Sequence, residues 1–323
     1  MTVAAAPGIP ESDVLAGTLA SVLGAERREH VTILERRALG EGTFHGEVVK
    51  YRLARGRPRT LFCKYGNSED NFGYGHRGGP PYEAAVYHRV LRHSRCTLPT
   101  FRGCRTDRDG RGTWLVLEFL EDSYRVNHAP DYRQAMLLAS AWIGRFHAER
   151  EPALRRRVPR FLKRYDADYY VGWARRTRRL ARPLRDRYPW LTDVCKKYES
   201  VVEEMLVAPP VVVHGEYYPK NILIHEGTIF PVDWESAAIG FGEIDVVSLT
   251  DNWPRSITQP CEEEYARHRW PAGAPVDYQR RLDLARLYVH LRWLGDLPEW
   301  TLETSMFRYQ QLRRTATRLG LLA

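Results

Sequence analysis

The sequence predicts an α+β protein, with its β-structure gathered in the first 120 residues and a mostly helical remainder. Three observations predict it. Residues 31–66, "VTILERRALGEGTFHGEVVKYRLARGRPRTLFCKYG", read as strands broken at a Gly-rich turn and at "ARGRP". "TWLVLEFL", residues 113–120, is a short apolar run with no helical period. Beyond residue 121, long segments such as "YRQAMLLASAWIGRFHAER" carry apolar residues at three- and four-residue spacing. The change of pattern divides the chain into regions 1–120 and 121–323.

The remaining elements follow in order. "ESDVLAGTLASVL" predicts a short N-terminal helix capped by Ser12 or Asp13. "NFGYGHRGGPP" cannot hold regular structure, and its two prolines prepare a helix at "YEAAVYHRVL". The segments from Phe161 to Leu180 and from Leu191 to Leu206 have helical spacing. Short strands are expected at "VVVHG", "NILI" and "IFPVDW", with a turn at "HEGT", and helices run from there to the C-terminus.

Composition bounds the functional class. With 43% hydrophobic and 28% charged residues, the 323-residue chain is that of a soluble globular protein. The start "MTVAAAPGIPESDV" has neither a basic stretch nor an apolar one, so no signal peptide is expected. No run approaches the roughly 20 apolar residues of a membrane span, and no membrane partner is expected. Five scattered cysteines without a CxxC pair argue for reduced thiols and a cytoplasmic location. The net charge of +9 sits in one segment, for 155–187 holds thirteen Arg or Lys against three Asp. That segment reads as a solvated helical face or as a docking surface for a protein partner. No aromatic-interleaved recognition motif accompanies it, so nucleic-acid binding is not expected.

The chemistry lies in a set of ordered motifs. "LGEGTFHGEVVKY" places Gly40, Gly42, Thr43, Phe44 and Gly46 between two strands, where glycines let backbone N–H groups approach phosphate oxygens. Lys64 ends an apolar strand, and Glu83 opens a helix nineteen residues later. A Lys on a strand paired with a Glu on a helix can fix an ammonium against nucleotide phosphates. In "VVVHGEYYPKNILI", residues 211–224, His214, Glu216 and Asn221 leave an apolar strand, and Asp233 follows the next strand pair. Glu216 is a carboxylate suited to orient an acceptor hydroxyl and take its proton. Asn221 and Asp233 are hard oxygen ligands of the kind Mg²⁺ takes.

The run "HGEYYPKNILI…IFPVDWESAAIGFGEIDVVSL" resembles the aminoglycoside phosphotransferase and choline kinase family. That family's pattern is H-G-D with Asn five residues on, then I-D-W after a strand, and it is matched at His214, Gly215, Asn221, Asp233 and Trp234. Asp245 and the "WIGRFHAER" helix with His147 match further family segments, so the likeness covers most of residues 35–250. The resemblance implies a two-lobed protein-kinase-like fold, with a nucleotide-binding N-lobe in 1–120 and catalytic loop, metal site and acceptor site in 121–323. It implies ATP or GTP with Mg²⁺ as cofactors. Gly40, Gly42, Thr43, Phe44, Lys64 and Glu83 would hold the nucleotide, and the backbone from Glu118 to Leu120 would meet the base. Glu216, Asn221 and Asp233 would form the catalytic set, the last two on the metal, while His214 and Asp245 would brace the loop.

The implied reaction moves the γ-phosphate of the nucleotide to a hydroxyl of a small molecule such as an antibiotic, a sugar or a nucleoside. One departure stands out: Glu216 occupies the position of the family's Asp. Two other readings stay open, a kinase of the same fold acting on Ser or Thr of a peptide, and a catalytically silent nucleotide-binding pseudokinase. Glu262, Glu263, Glu264 and Asp251 are acidic groups that a cationic acceptor could use, although consecutive glutamates on a helix cannot share one cavity. Tyr165, Tyr169 and Trp173 fall four apart, as one face of a helix that is core or a docking groove.

Overall fold

The computed structural model describes residues 10–24, 30–39, 44–54, 56–66, 74–106, 112–303 and 306–322. Two compact units result. The first is Met1–Ser123 with His225–Ser236, and the second is Tyr124–Ile224 with Ala237–Ala323. The stretch carrying Asp233 therefore belongs to the same unit as Lys64.

In the first unit, helix α1 (Ser12–Val22) precedes strands β1 (Val31–Leu39), β2 (His45–Leu53) and β3 (Arg59–Gly66). Helix α2 (Gly79–Arg89) and strands β4 (Phe101–Thr106) and β5 (Thr113–Glu118) follow. The five strands form one sheet in the order β1-β2-β3-β5-β4. Alternation gives the sheet two faces. Val49, Tyr51, Leu61, Cys63, Tyr65 and Val116 pack with Leu15 and Leu19 of α1. Register puts Gly46, Lys64 and Leu115 in one row of the other face, and Val48, Phe62 and Leu117 in the next.

The N-terminal cap differs from expectation. Glu11 holds the N-cap position of α1 without a side-chain hydrogen bond, and Ser12 begins the helix. The prolines start α2 as expected, at its first turn, and the helix opens at Gly79, three residues before Tyr82.

The second unit is built on helices. α3 (Tyr132–Arg156) is capped by Asp131, whose side chain accepts from the Gln134 N–H. α4 (Ala167–Leu180) is capped in the same way by Asp166. The expected helix over 191–206 is broken at Tyr198 into α5 (Leu191–Lys197) and α6 (Glu199–Val207). After α7 (Glu243–Thr250) and α8 (Arg255–Arg269), the long α9 (Tyr278–Asp296) packs against α4 and α7, and against α10 (Pro298–Glu303) and α11 (Met306–Arg318). The strand Ala238–Gly240 pairs antiparallel with Val211–Val213 and parallel with Lys163–Arg164, which fixes where the chain enters "HGEYYPKN".

Tyr165 and Trp173 are buried core residues, and Tyr165 stacks on Tyr169 with ring centroids 3.8 Å apart. The aromatic stripe is thus packing rather than a groove. The Arg-rich helix α4 turns Arg175, Arg178 and Arg179 to solvent, while Arg176 donates to the carbonyls of Gly295 and Asp296. All five cysteines are free thiols. Among the described residues, no helix is long and apolar enough to cross a membrane.

Candidate active site

The first unit gathers three carboxylates on one ammonium. Lys64 Nζ donates to Glu83 Oε2 at 2.8 Å and to Asp233 Oδ1 at 2.7 Å, with Glu235 Oε2 at 3.5 Å. Burial favours the neutral amine, but Asp233, Glu83 and Glu235 outweigh it and hold Lys64 charged well above its ordinary range. Burial pushes the Glu83 carboxyl up, against the pull of Lys64. The other oxygen of Glu83 accepts from the Trp234 backbone N–H at 3.1 Å. Glu83 thus ties α2 to both β3 and the residue after Asp233.

Asp233 sits at φ +68°, in the left-handed region that Asp tolerates better than most residues. Fully buried Trp234 and nearly buried Glu235 follow it, and Gly78 N–H donates to the Glu235 carbonyl at 2.7 Å. Arg77 Nε lies 3.6 Å from Glu235. The Asp233 side chain is 35% exposed, whereas Glu83 and Glu235 are nearly covered. Carboxylate oxygens of Glu83, Asp233 and Glu235 lie within 4.8 Å of one another. These are hard donors of the kind a divalent cation such as Mg²⁺ takes, and Asp233 is the most open of them.

Other expected residues of this unit fall as follows. Phe44 is buried, and Lys64 Nζ lies 5.3 Å from its ring centroid. Gly40, Gly42 and Thr43 lie outside the described residues. The Glu118 side chain accepts from the Thr100 N–H and hydroxyl, and although burial works the other way these donors hold its carboxyl below the ordinary value. The Leu120 carbonyl accepts from the Ser123 hydroxyl at 2.8 Å. A cavity of about 400 Å³ opens here on the Lys64 face of the sheet, lined by Arg37, Val48, Lys50, Thr60, Phe119 and Leu120 among others. Thr60 is four residues before Lys64 on β3, roughly 13 Å along the strand.

The second unit holds Glu216 and Asn221. His214 and Gly215 donate their backbone N–H groups to the two oxygens of Asp245, at 2.7 and 2.9 Å. Asp245 is fully buried on α7 and also meets His147 Nε2 at 3.2 Å. Burial lowers the His147 pKa against the pull of Asp245. Gly215 takes φ +81°, a turn conformation that glycine enters without Cβ strain.

Glu216 is pinned on both sides. Its N–H donates to His214 Nδ1 at 3.3 Å, and its carbonyl accepts from Asn221 Nδ2 at 3.0 Å and Tyr218 N–H at 2.7 Å. With its amide nitrogen so used, Asn221 has its side-chain oxygen as the atom suited to a hard cation. The Glu216 carboxylate accepts from Arg292 Nη2 at 2.7 Å. Beside it, the rings of Tyr218 and Trp293 lie 6.0 Å apart, and those of Trp293 and Trp300 4.5 Å. Of the acidic groups further along the chain, Glu262 is paired with Arg286, Glu264 with Arg267 and Asp251 with Arg308.

Sequence reasoning missed Glu235, Arg77, Tyr218 and Arg292. Arg292 had a signal, since a single charge stands in the apolar stretch "LYVHLRWLG". Glu235 offered none beyond its spacing of two from Asp233.

Residues 74–282 match the model of the APH phosphotransferase enzyme family, and the chain belongs to that family. The N-acetylmuramate/N-acetylglucosamine kinase of Pseudomonas aeruginosa is 27% identical over a 141-residue alignment that takes in 35% of this chain and 42% of that one. The chain thus matches less than half the length of that relative. A choline kinase of Streptococcus pneumoniae superposes with a TM-score of 0.59 at 11% identity, covering 96% of this chain and 99% of that one. The GDP complex of an aminoglycoside 2′-phosphotransferase-IIIa gives 0.60 at 13% identity, over 96% and 98%. At these identities the likeness is one of fold, and the fold is the α+β, protein-kinase-like one.

Proposed function

We propose that the protein is a Mg²⁺- and nucleotide-dependent phosphotransferase that moves the γ-phosphate of ATP or GTP to a hydroxyl of a small, ring-bearing molecule. The observation that carries this reading is the Lys64 ammonium, held charged between Glu83 and Asp233 on one sheet face. A fixed ammonium beside an exposed carboxylate suits a phosphate and its counter-cation together. The cavity by Phe119 and Leu120, farther along the same face, suits the nucleotide base. Asp233 is the open hard-oxygen ligand of the first unit, and the Asn221 amide oxygen is a donor of the same kind in the second. Mg²⁺ held by such donors would neutralise phosphate charge.

Glu216 is the base of this reading. The acceptor oxygen forms its bond to the γ-phosphorus as the bond from that phosphorus to the bridging oxygen breaks. The acceptor's proton passes to the Glu216 carboxylate, and the nucleoside diphosphate leaves with the bridging oxygen. Tyr218, Trp293 and Trp300 form an aromatic cluster two residues from Glu216 and on α9–α10, with the Arg308 guanidinium 4.8 Å from the Trp293 ring centroid; the flat faces of Tyr218 and Trp300 suit the C–H face of a sugar-like ring. The P. aeruginosa relative is named for amino-sugar substrates, and the acceptor class proposed here includes them.

The test is a mass-spectrometric screen with ATP and with GTP plus Mg²⁺. Its acceptors are amino sugars, neutral sugars, aminoglycosides, nucleosides and a Ser/Thr peptide pool. The reading expects one phosphoryl group added to a small-molecule hydroxyl, with turnover lost in Glu216→Gln. Phosphorylation of peptide alone would replace the acceptor class. Nucleotide binding without any transfer would mark a silent binding protein.

A further inference from the structure

Arg292 is 4% exposed on a helix whose neighbours Leu287, Val289, Leu291 and Leu294 are all buried. A guanidinium in such surroundings is costly unless its donors are used. Nη2 donates to Glu216 Oε1 at 2.7 Å, and Nη1 donates to the Gly215 carbonyl at 2.5 Å with the Tyr218 hydroxyl at 3.4 Å. One planar group therefore holds both the carboxylate of residue 216 and the backbone just before it. We propose that Arg292 is a positioning residue that makes Glu, and not Asp, the working carboxylate at position 216. The inference rests on the proposed role of Glu216 as base.

The backbone of 214–216 has no slack, because Asp245 grips two of its N–H groups, and His214 and Asn221 hold Glu216 from either side. Side-chain length alone then decides where the carboxylate stands. An Asp on the same backbone stops about 1.5 Å short, one C–C bond. The 2.7 Å contact would open to about 4 Å, beyond hydrogen-bond range, and leave a buried guanidinium partly unpaired. The departure of this chain from its family's Asp and the buried Arg on α9 are thus two halves of one arrangement.

The experiment compares wild type with Glu216→Asp, Arg292→Lys, Arg292→Leu, the Glu216→Asp/Arg292→Leu double variant, and Glu216→Gln. Turnover is followed with ATP and Mg²⁺, as phosphate release to water and as transfer to any acceptor found in the screen. Near-ultraviolet circular dichroism checks folding. In parallel, kcat is separated from nucleotide KM for every variant, and nucleotide binding is followed by thermal shift with ATP and Mg²⁺, a readout that needs no turnover.

Glu216→Asp is expected to lower kcat about a hundredfold although it restores the family's residue. Arg292→Leu should do the same with nucleotide KM unchanged. The double variant should be little worse than either single one. Arg292→Lys should recover part of the lost kcat, and thermal shifts with ATP and Mg²⁺ should be the same in all variants. Glu216→Asp at wild-type rate would overturn the inference, and so would a folded Arg292→Leu at wild-type kcat. If Arg292→Leu does not fold, Arg292→Lys at full kcat would overturn it too. Undiminished turnover in Glu216→Gln would remove the base assignment itself, whatever the Arg292 variants do.

Discussion

Asp233 Oδ1 stands 2.7 Å from Lys64 Nζ although 169 residues separate the two in sequence. The contact lies within one unit, since His225–Ser236 groups with the N-terminal sheet. Glu83 fastens the arrangement by taking Lys64 on one oxygen and the Trp234 N–H on the other.

Removing the cation at this point should cost more than removing one anion. Lys64→Met leaves the nearly buried Glu83 and Glu235 facing Asp233 with no ammonium between them. Breaking a buried pair on one side costs about 3–5 kcal/mol, and denaturant unfolding should show a loss near the lower end because Asp233 is partly exposed. Adding Glu83→Gln to Lys64→Met should recover about 1 kcal/mol of it. A loss no larger than that of Asp233→Asn alone would contradict this.

Asp245 carries the loop that presents Glu216. Its two oxygens serve two backbone N–H groups and His147, and an amide offers only one acceptor. Asp245→Asn should therefore orphan one buried N–H, lower stability by about 1–3 kcal/mol, and release the amides of His214 or Gly215 to faster hydrogen exchange. Unchanged protection of both amides would show that the loop is held in another way.

Acid sensitivity should trace to His290. Burial, with Arg308, Arg286 and Arg318 around it, brings its pKa down to about 3. The folded state thus keeps His290 neutral where the unfolded chain takes a proton, below about pH 6.5. Stability should fall as pH drops from 6.5 towards 3, by up to about 1.4 kcal/mol per unit from this group. His290→Gln should gain on wild type by about 2 kcal/mol between pH 7 and pH 5. Parallel stability curves for the two proteins would rule this out.

Much of the fold was legible because its signals are local. Alternation marks β1 to β3, the prolines mark α2, and helical spacing marks α3 and α4. Glu83, Lys64, Asp233, Glu216 and Asn221 could be singled out because each sits at a fixed step from a strand end or a Gly. What could not be read was long-range. Arg292 meets Glu216 across 76 residues, a pairing set by how α9 packs rather than by any spacing. The break at Tyr198 was hidden too, since α5 and α6 continue one apolar period on either side of it.

The central claim is that Lys64 and Asp233 hold a nucleotide with its metal. Thermal melts of wild type and Asp233→Ala, with ATP and with GTP, each with and without Mg²⁺, test it most directly. A ligand at about a hundred times its dissociation constant adds roughly 2.7 kcal/mol to the folded state. The account predicts an upward shift that requires Mg²⁺ and is lost in Asp233→Ala. No shift with either nucleotide, or a shift that survives the substitution unchanged, would contradict it.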